Sequence, residues 1–298
     1  MINAFDIACA QHWLILPEAL EKILAIANRD FDADVLIRAR ADWENRKALA
    51  TQRGTPLDGT RTVEKRSNGV AVVPVVGPIM RYSNLMTEIS GAQSLAVFAR
   101  DFASTMSDPS VNAIVLNFDT PGGDARGINE GAAHIADAVA KNTKPILAYA
   151  GGTSASAGYW LMSAVGPDAI TVDRTSVLGS IGVVATVEDT TERDAKTGKR
   201  TYEIVSSNAP NKRPNVATEA GRAQFQAVVD QLESTFIASV AKYRGVTTDV
   251  VKSDFGRGGV LVGEAAVKAG MADHIGSLES TIARAAALAK TRQFGGFK

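Results

Sequence analysis

From residue 69 onward, short apolar runs alternate with longer stretches of helical periodicity, and this alternation constrains the fold more than any other feature of the chain. The runs lie near 69–76, 111–118 (VNAIVLNF), 145–150 (PILAYA) and 168–173, and helical stretches near 92–106, 127–141 and 154–164 separate them. Such runs suit strands covered on both faces, so the pattern predicts an α/β chain of repeated β-α units with a mainly parallel sheet. A long amphipathic segment follows at 217–243, with Phe225, Val228, Val229, Leu232, Phe236 and Val240 on one face. The last unit, VLVGEAAVKAGMADHIGSLESTIARAAALAK, reads as strand, helix, turn, helix.

Upstream of this pattern, residues 17–51 carry Leu20, Ile23, Leu24 and Ala27 at helical spacing, with Pro17 at a suitable first helical position. QRGTPLDGTRT, 52–62, has the composition of an exposed linker. The expected organisation is a helical N-terminal segment with linker over 1–62, one main domain over 63–288, and a loose tail over 289–298 that ends in RQFGGFK.

The 298 residues balance 32 basic against 32 acidic side chains, which gives no electrostatic reason to expect nucleic acid or an anionic membrane as the main partner. Cys9 is the only cysteine, so neither an intrachain disulfide nor a cysteine-based metal cluster can form. The longest apolar stretch, 69–80, is broken by Pro74, Gly77 and Pro78 and falls short of the roughly 20 residues of a membrane helix. MINAFDIACAQHW lacks the basic and apolar regions of a secretory signal. A cytoplasmic location is therefore expected, with no membrane insertion, no cofactor and no metal.

In open α/β sheets ligands bind beyond the carboxyl ends of the strands, and two strand ends carry suggestive residues. VNAIVLNF runs into DTPGGDARG, where Gly122–Gly123 allows a sharp turn and a close approach of bare N–H groups. PILAYA runs into GGTSASAGYW, where a serine at a strand-to-helix turn can face the same cleft. Each also has a plain structural explanation, as a turn and as close helix packing or capping. A nucleophilic serine needs a base. His12, His134 and His274 are the only histidines, and they leave a Ser-His-Asp triad open but without support from the sequence. A lysine is the alternative, provided that its ordinary pKa of roughly 10.4 is pulled down so that the amine is neutral. SSNAPNKRPN, 206–215, offers Lys212 between Pro210 and Pro214, although on this stretch alone a solvated basic loop is the plainer reading.

The succession DTPGG, SASAGYW, VLGSIGVV, a lysine in SSNAPNKRP and GRGGVLVGEAAVKAGMADHIGS resembles the signal peptide peptidase A family of serine peptidases, over roughly 69–285 and in the family's order. The resemblance implies a Clp-protease/crotonase-type fold and a Ser-Lys dyad. Matched position by position, Ser156 stands for the nucleophile, Lys212 for the general base and Ser180 for the serine that orients the lysine. The N–H groups of Gly123 and Ala157 stand for the oxyanion hole. Ala157 replaces a glycine common in the family, and the loop around Lys212 departs from the family pattern, which leaves Lys196 and Lys199 as fallback bases.

The N-terminal 60 residues and the absence of an anchor resemble the bacteriophage branch of prohead and capsid-assembly proteases more than the cellular signal-peptide-peptidase-like enzymes. That likeness implies a peptide or protein substrate such as scaffold, portal or the enzyme itself, and a location in the host cytoplasm or the procapsid interior. No scaffold-like extension follows residue 298, so the scaffold is expected as a separate chain. Half-length members of the family imply a homo-oligomeric ring that takes serine and lysine from neighbouring protomers. Two rival expectations remain: a crotonase-type acyl-CoA enzyme, and a catalytically inactive assembly subunit.

Overall fold

The computed structural model describes residues 12–21, 54–82, 93–187, 189, 191–198, 200, 202 and 204–295. In chain order the strands are β1 (His12–Ile15), β2 (Thr55–Pro56), β3 (Glu64–Lys65), β4 (Val70–Val76), β5 (Ile79–Met80), β6 (Gln93–Ser94), β7 (Ala113–Thr120), β8 (Gly122–Asp124), β9 (Ile146–Ala155), β10 (Ile170–Val172), β11 (Val177–Gly179), β12 (Val184–Ala185), β13 (Val260–Val262) and β14 (His274–Ile275). The helices are α1 (Leu95–Ser107), α2 (Ile128–Lys141), α3 (Ala157–Ser163), α4 (Thr191–Lys196), α5 (Glu219–Arg244), α6 (Thr248–Asp254), α7 (Glu264–Ala269) and α8 (Leu278–Gly295).

The larger sheet runs β13-β11-β9-β7-β4-β3-β2, and its centre is the parallel trio β4, β7 and β9, with Val72 beside Val115 and Val115 beside Leu147. These strands are buried almost throughout, as unbroken Val, Ile, Leu and Ala runs require once helices cover both faces. Pro74 is tolerated inside β4 because β3 pairs with β4 only at Ala71 and Val72, so the proline lies past the end of that ladder. The expected α/β class with a mainly parallel sheet is what the chain adopts.

Strand β9 changes partners along its length. Its first half pairs with β10, Ala148 beside Ile170, and its second half with β11, Thr153 beside Val177. The change falls at Gly151–Gly152, where the register with β7 also slips between Phe118 and Thr120. Asp119 secures the bend by accepting the N–H of Thr153 at 3.1 Å, and its carboxylate lies where a Cβ on Gly152 would be. The bend carries residues 154–156 away from β10 and over to β11.

Beyond Ser156, α3 is buried at every residue. Trp160 stacks on Phe236 of α5 with ring centroids 4.6 Å apart, and the Tyr159 hydroxyl donates to the carbonyl of Met271 at 3.0 Å. Burial drives the Tyr159 phenol far above its ordinary pKa, so it stays protonated and a donor. The carboxyl end of α5 is tied down by Arg244, which pairs with Asp273 at 2.6 Å and donates to the carbonyls of Gly166 and Gly270. Only this second half of α5 uses its apolar face in the core: Phe236, Ile237 and Val240 are buried, whereas Val228 is 42% exposed.

The smaller sheet runs β12-β1-β8-β5-β6. Its strand β1 is a departure from the expectation of a purely helical N-terminal segment. Trp13, Leu14 and Ile15 are all buried, and helix begins only at Pro17 and extends through Glu21. The rest of the expected N-terminal helix, with Ile23, Leu24 and Ala27, lies outside the described residues. At the other end α8 continues to Gly295, so most of the stretch expected as a tail is helical. No helix among the described residues is long and apolar enough to cross a membrane.

Candidate active site

Ser156 occupies the single step between β9 and α3, with φ 52° and ψ −118°. A non-glycine residue in this region is strained, and the strain is held by the bonds on either side. Its N–H donates to the carbonyl of Gly179 at 2.7 Å, and its carbonyl accepts the N–H of Trp160 at 3.0 Å. The residue is 1% exposed, and its Oγ is buried with no hydrogen-bond partner. An unpaired buried hydroxyl costs about 1–3 kcal/mol and is uncommon without a use.

Small residues surround Ser156 for steric reasons that the structure makes explicit. A Cβ on Gly158 would lie 2.4 Å from the Thr120 methyl, and one on Gly123 would lie 1.9 Å from the carbonyl oxygen of Ile79. Ala157 is fully buried. β8, which holds Gly122 and Gly123, packs against α3 and so borders the same cleft.

Ser180 is brought to Ser156 by sheet register. Gly179 pairs with Ala155 in the parallel β9/β11 ladder, so the next residue on each strand, Ser180 and Ser156, lie side by side. Ser180 also has a positive φ, 53°, and its N–H donates to the carbonyl of Gly259 at 2.7 Å.

Lys212 makes no hydrogen bond to the Ser156 hydroxyl. It ends a short 3-10 turn, Pro210–Lys212, and is exposed, while the Ser156 hydroxyl is buried and unpartnered. Lys196 is exposed on α4, and Lys199 lies outside the described residues. The histidines are engaged elsewhere or simply distant in role. His134 is exposed on α2 with an edge contact to Phe102, and His274 bonds Asp168 at 2.8 Å. His12 begins β1, and its carbonyl accepts the N–H of Ala125.

Two features of the site escaped the sequence. Asp119 and Thr120 shape the approach to Ser156 through contacts that no local pattern records. β1 borders the cleft as well, and its only local signal is the buried-looking run WLI closed by Pro17.

A family model described as Peptidase family S49 matches residues 138–292, a span that includes Ser156, Ser180 and Lys212. Capsid assembly protease C of Escherichia phage lambda is 30% identical over 212 residues, which cover 70% of this chain and 46% of that protein. Head-tail preconnector protein GP5 of Enterobacteria phage P21 is 28% identical over 212 residues, 70% of this chain and 41% of that protein. Protease 4 of Salmonella typhi is 26% identical over 226 residues, 76% of this chain and 35% of that protein. The chain thus spans less than half the length of these relatives.

Proposed function

We infer the activity from kinship and geometry together: this chain belongs to peptidase family S49, and we propose that it hydrolyses peptide bonds with Ser156 as nucleophile. The observation that carries the proposal is the buried, unpartnered Ser156 hydroxyl, held at a strained strand-to-helix step with Ser180 beside it in register. In this scheme a neutral lysine amine, Lys212, removes the Ser156 proton as Oγ attacks the scissile carbonyl. Backbone N–H groups of Gly123 and Ala157 receive the oxyanion, the amine leaves with the proton, and water then releases the acyl group from Ser156. Ser180 orients the lysine. No cofactor or metal enters the scheme.

Because the Ser156 hydroxyl has no hydrogen-bond partner among the described residues and Lys212 is exposed, the scheme assigns the lysine to a neighbouring protomer of a closed homo-oligomer. The phage relatives named for capsid assembly and the head-tail preconnector support a role in phage head assembly, with a structural protein of the particle as substrate. Residues 63–288 carry the catalytic unit in this reading.

A fluorophosphonate probe followed by peptide mapping tests the proposal. Label is expected on Ser156 and nowhere else, and Ser156→Ala is expected to abolish both label and peptide cleavage. Labelling of another residue, or cleavage that survives Ser156→Ala, would remove Ser156 from the role. A crotonase-type enzyme would leave Ser156 unlabelled.

A further inference from the structure

β1 lies antiparallel to both its neighbours: Trp13 pairs with Asp124 of β8 on one side and with Val184 of β12 on the other. β8 borders the cleft around Ser156, since it carries Gly122–Gly123 and packs on α3. The chain therefore lays its own extended segment along that border of the candidate site.

The ladder fixes where each backbone group falls. The N–H of Leu16 donates to the carbonyl of Pro121 at 2.9 Å, and the N–H of Ala125 donates to that of His12 at 3.0 Å. Bonded pairs alternate along an antiparallel ladder, so the pair between these two, Leu14 and Gly123, is also bonded, and the Gly123 N–H points at the Leu14 carbonyl. The approach is close enough that a Cβ on Gly122 would come within 2.1 Å of that carbonyl oxygen. The N–H expected to receive a substrate's oxyanion is thus already used by a carbonyl of the chain itself. Trp13, Leu14 and Ile15 are buried, and so is the hydroxyl of Ser156.

Addition of an extended strand to free backbone edges is a general way to hold a peptide, with backbone bonds for affinity and alternate side chains for selection. We propose that residues 12–16 are a built-in occupant of the peptide groove: they hold an extended substrate's place, with the Leu14 carbonyl at the acyl position, and another peptide enters only in the fraction of chains from which β1 has left, so that β1 lowers the activity of the chain without abolishing it. This rests on the peptidase reading of Ser156. It also defines the substrate as an extended chain with an apolar side chain at the place of Leu14.

The test reads access to position 156 without requiring catalysis. In the full chain with Cys9→Ser, a Ser156→Cys thiol is alkylated by iodoacetamide, with and without Leu14→Asp, whose charge cannot stay buried. Expulsion of β1 is expected to raise the alkylation rate tenfold or more while cooperative melting is retained. An unchanged rate in a folded Leu14→Asp chain would overturn the proposal. A second variant replaces residues 12–16 with a Gly-Ser segment of equal length. Loss of cooperative melting in both variants would make β1 an integral part of the fold and would also overturn it. Fluorophosphonate labelling of Ser156 in the Leu14→Asp chain separates the two ideas. A freed thiol in the cysteine variant with no label on the serine leaves the built-in occupant standing and removes the peptidase reading.

Discussion

Gly158 shows how tightly the residues behind Ser156 are fitted, because the Thr120 methyl fills the space where its Cβ would be. Gly158→Ala must push that methyl aside, and overpacking of this kind costs about 1–3 kcal/mol. The double variant with Thr120→Ser removes the obstructing methyl and is expected to recover most of the loss in denaturant melts, a coupling that two independent sites would not show. Arg244 and Asp273 set a second expectation. Burial alone would raise the Asp273 pKa, but the Arg244 bond and the N–H groups of Ala169 and Ile170 hold it below the ordinary carboxylate value. A depressed carboxylate contributes stability above its unfolded pKa of 3.8 and loses it as pH falls through the lower folded value. Melting temperature is thus expected to drop below about pH 4, and this component of the drop should shrink in Arg244→Met, where Asp273 keeps only its two backbone donors. That variant itself should cost about 1.5–3 kcal/mol at neutral pH, because it removes the hydrogen bonds that Arg244 makes to a charged carboxylate.

The elements most visible in the sequence are those whose partners do not alter their period. β4 and β7 fall within two residues of the apolar runs at 69–76 and 111–118, and α2 starts one residue after its expected position. β9 is expected to end at Ala150 but continues to Ala155, because β11 offers a second ladder that a Gly-Gly-Thr-Ser stretch would not attract by propensity alone. The helix after it accordingly begins at Ala157 and not at Ser154. β1 was invisible for a related reason: four residues carry no readable period, and their strand state depends on β8 and β12, which are distant in sequence. α5 shows the opposite case, a full apolar face of which the chain itself uses half. Phe236→Ala, which removes the ring stacked on Trp160, is expected to cost about 3–5 kcal/mol in chemical denaturation. Val228→Ala on the same face should change stability by less than about 0.5 kcal/mol, since its side chain is not in the core. A comparable loss at both positions would mean that Val228 is covered within the folded unit.

At the scale of the whole molecule, the proposed Ser156–Lys212 pair and the unused apolar surface are accounted for together by the proposed ring. Lys212 is exposed, the Ser156 hydroxyl has no partner, and the region before Lys212 presents Tyr202 and Ile204, the latter 98% exposed. Ser156 and Lys212 are 212 − 156 = 56 residues apart in sequence, which places no constraint on their pairing in one chain. A closed ring with heterologous contacts satisfies all of these at once, since each interface joins one protomer's serine to its neighbour's lysine and covers apolar side chains on both. Such a ring predicts complementation between two inactive chains. In a random mixture of Ser156→Ala and Lys212→Ala protomers, an interface is competent only when the serine comes from the second kind and the lysine from the first. That holds for roughly one interface in four under heterologous pairing. Co-refolding equal amounts of the two variants is therefore expected to restore about a quarter of wild-type peptide hydrolysis, measured on particles whose size matches the wild-type assembly. A co-assembled mixture as inactive as either variant alone would place serine and lysine in the same chain, and the groove would then have to rearrange for the two to meet.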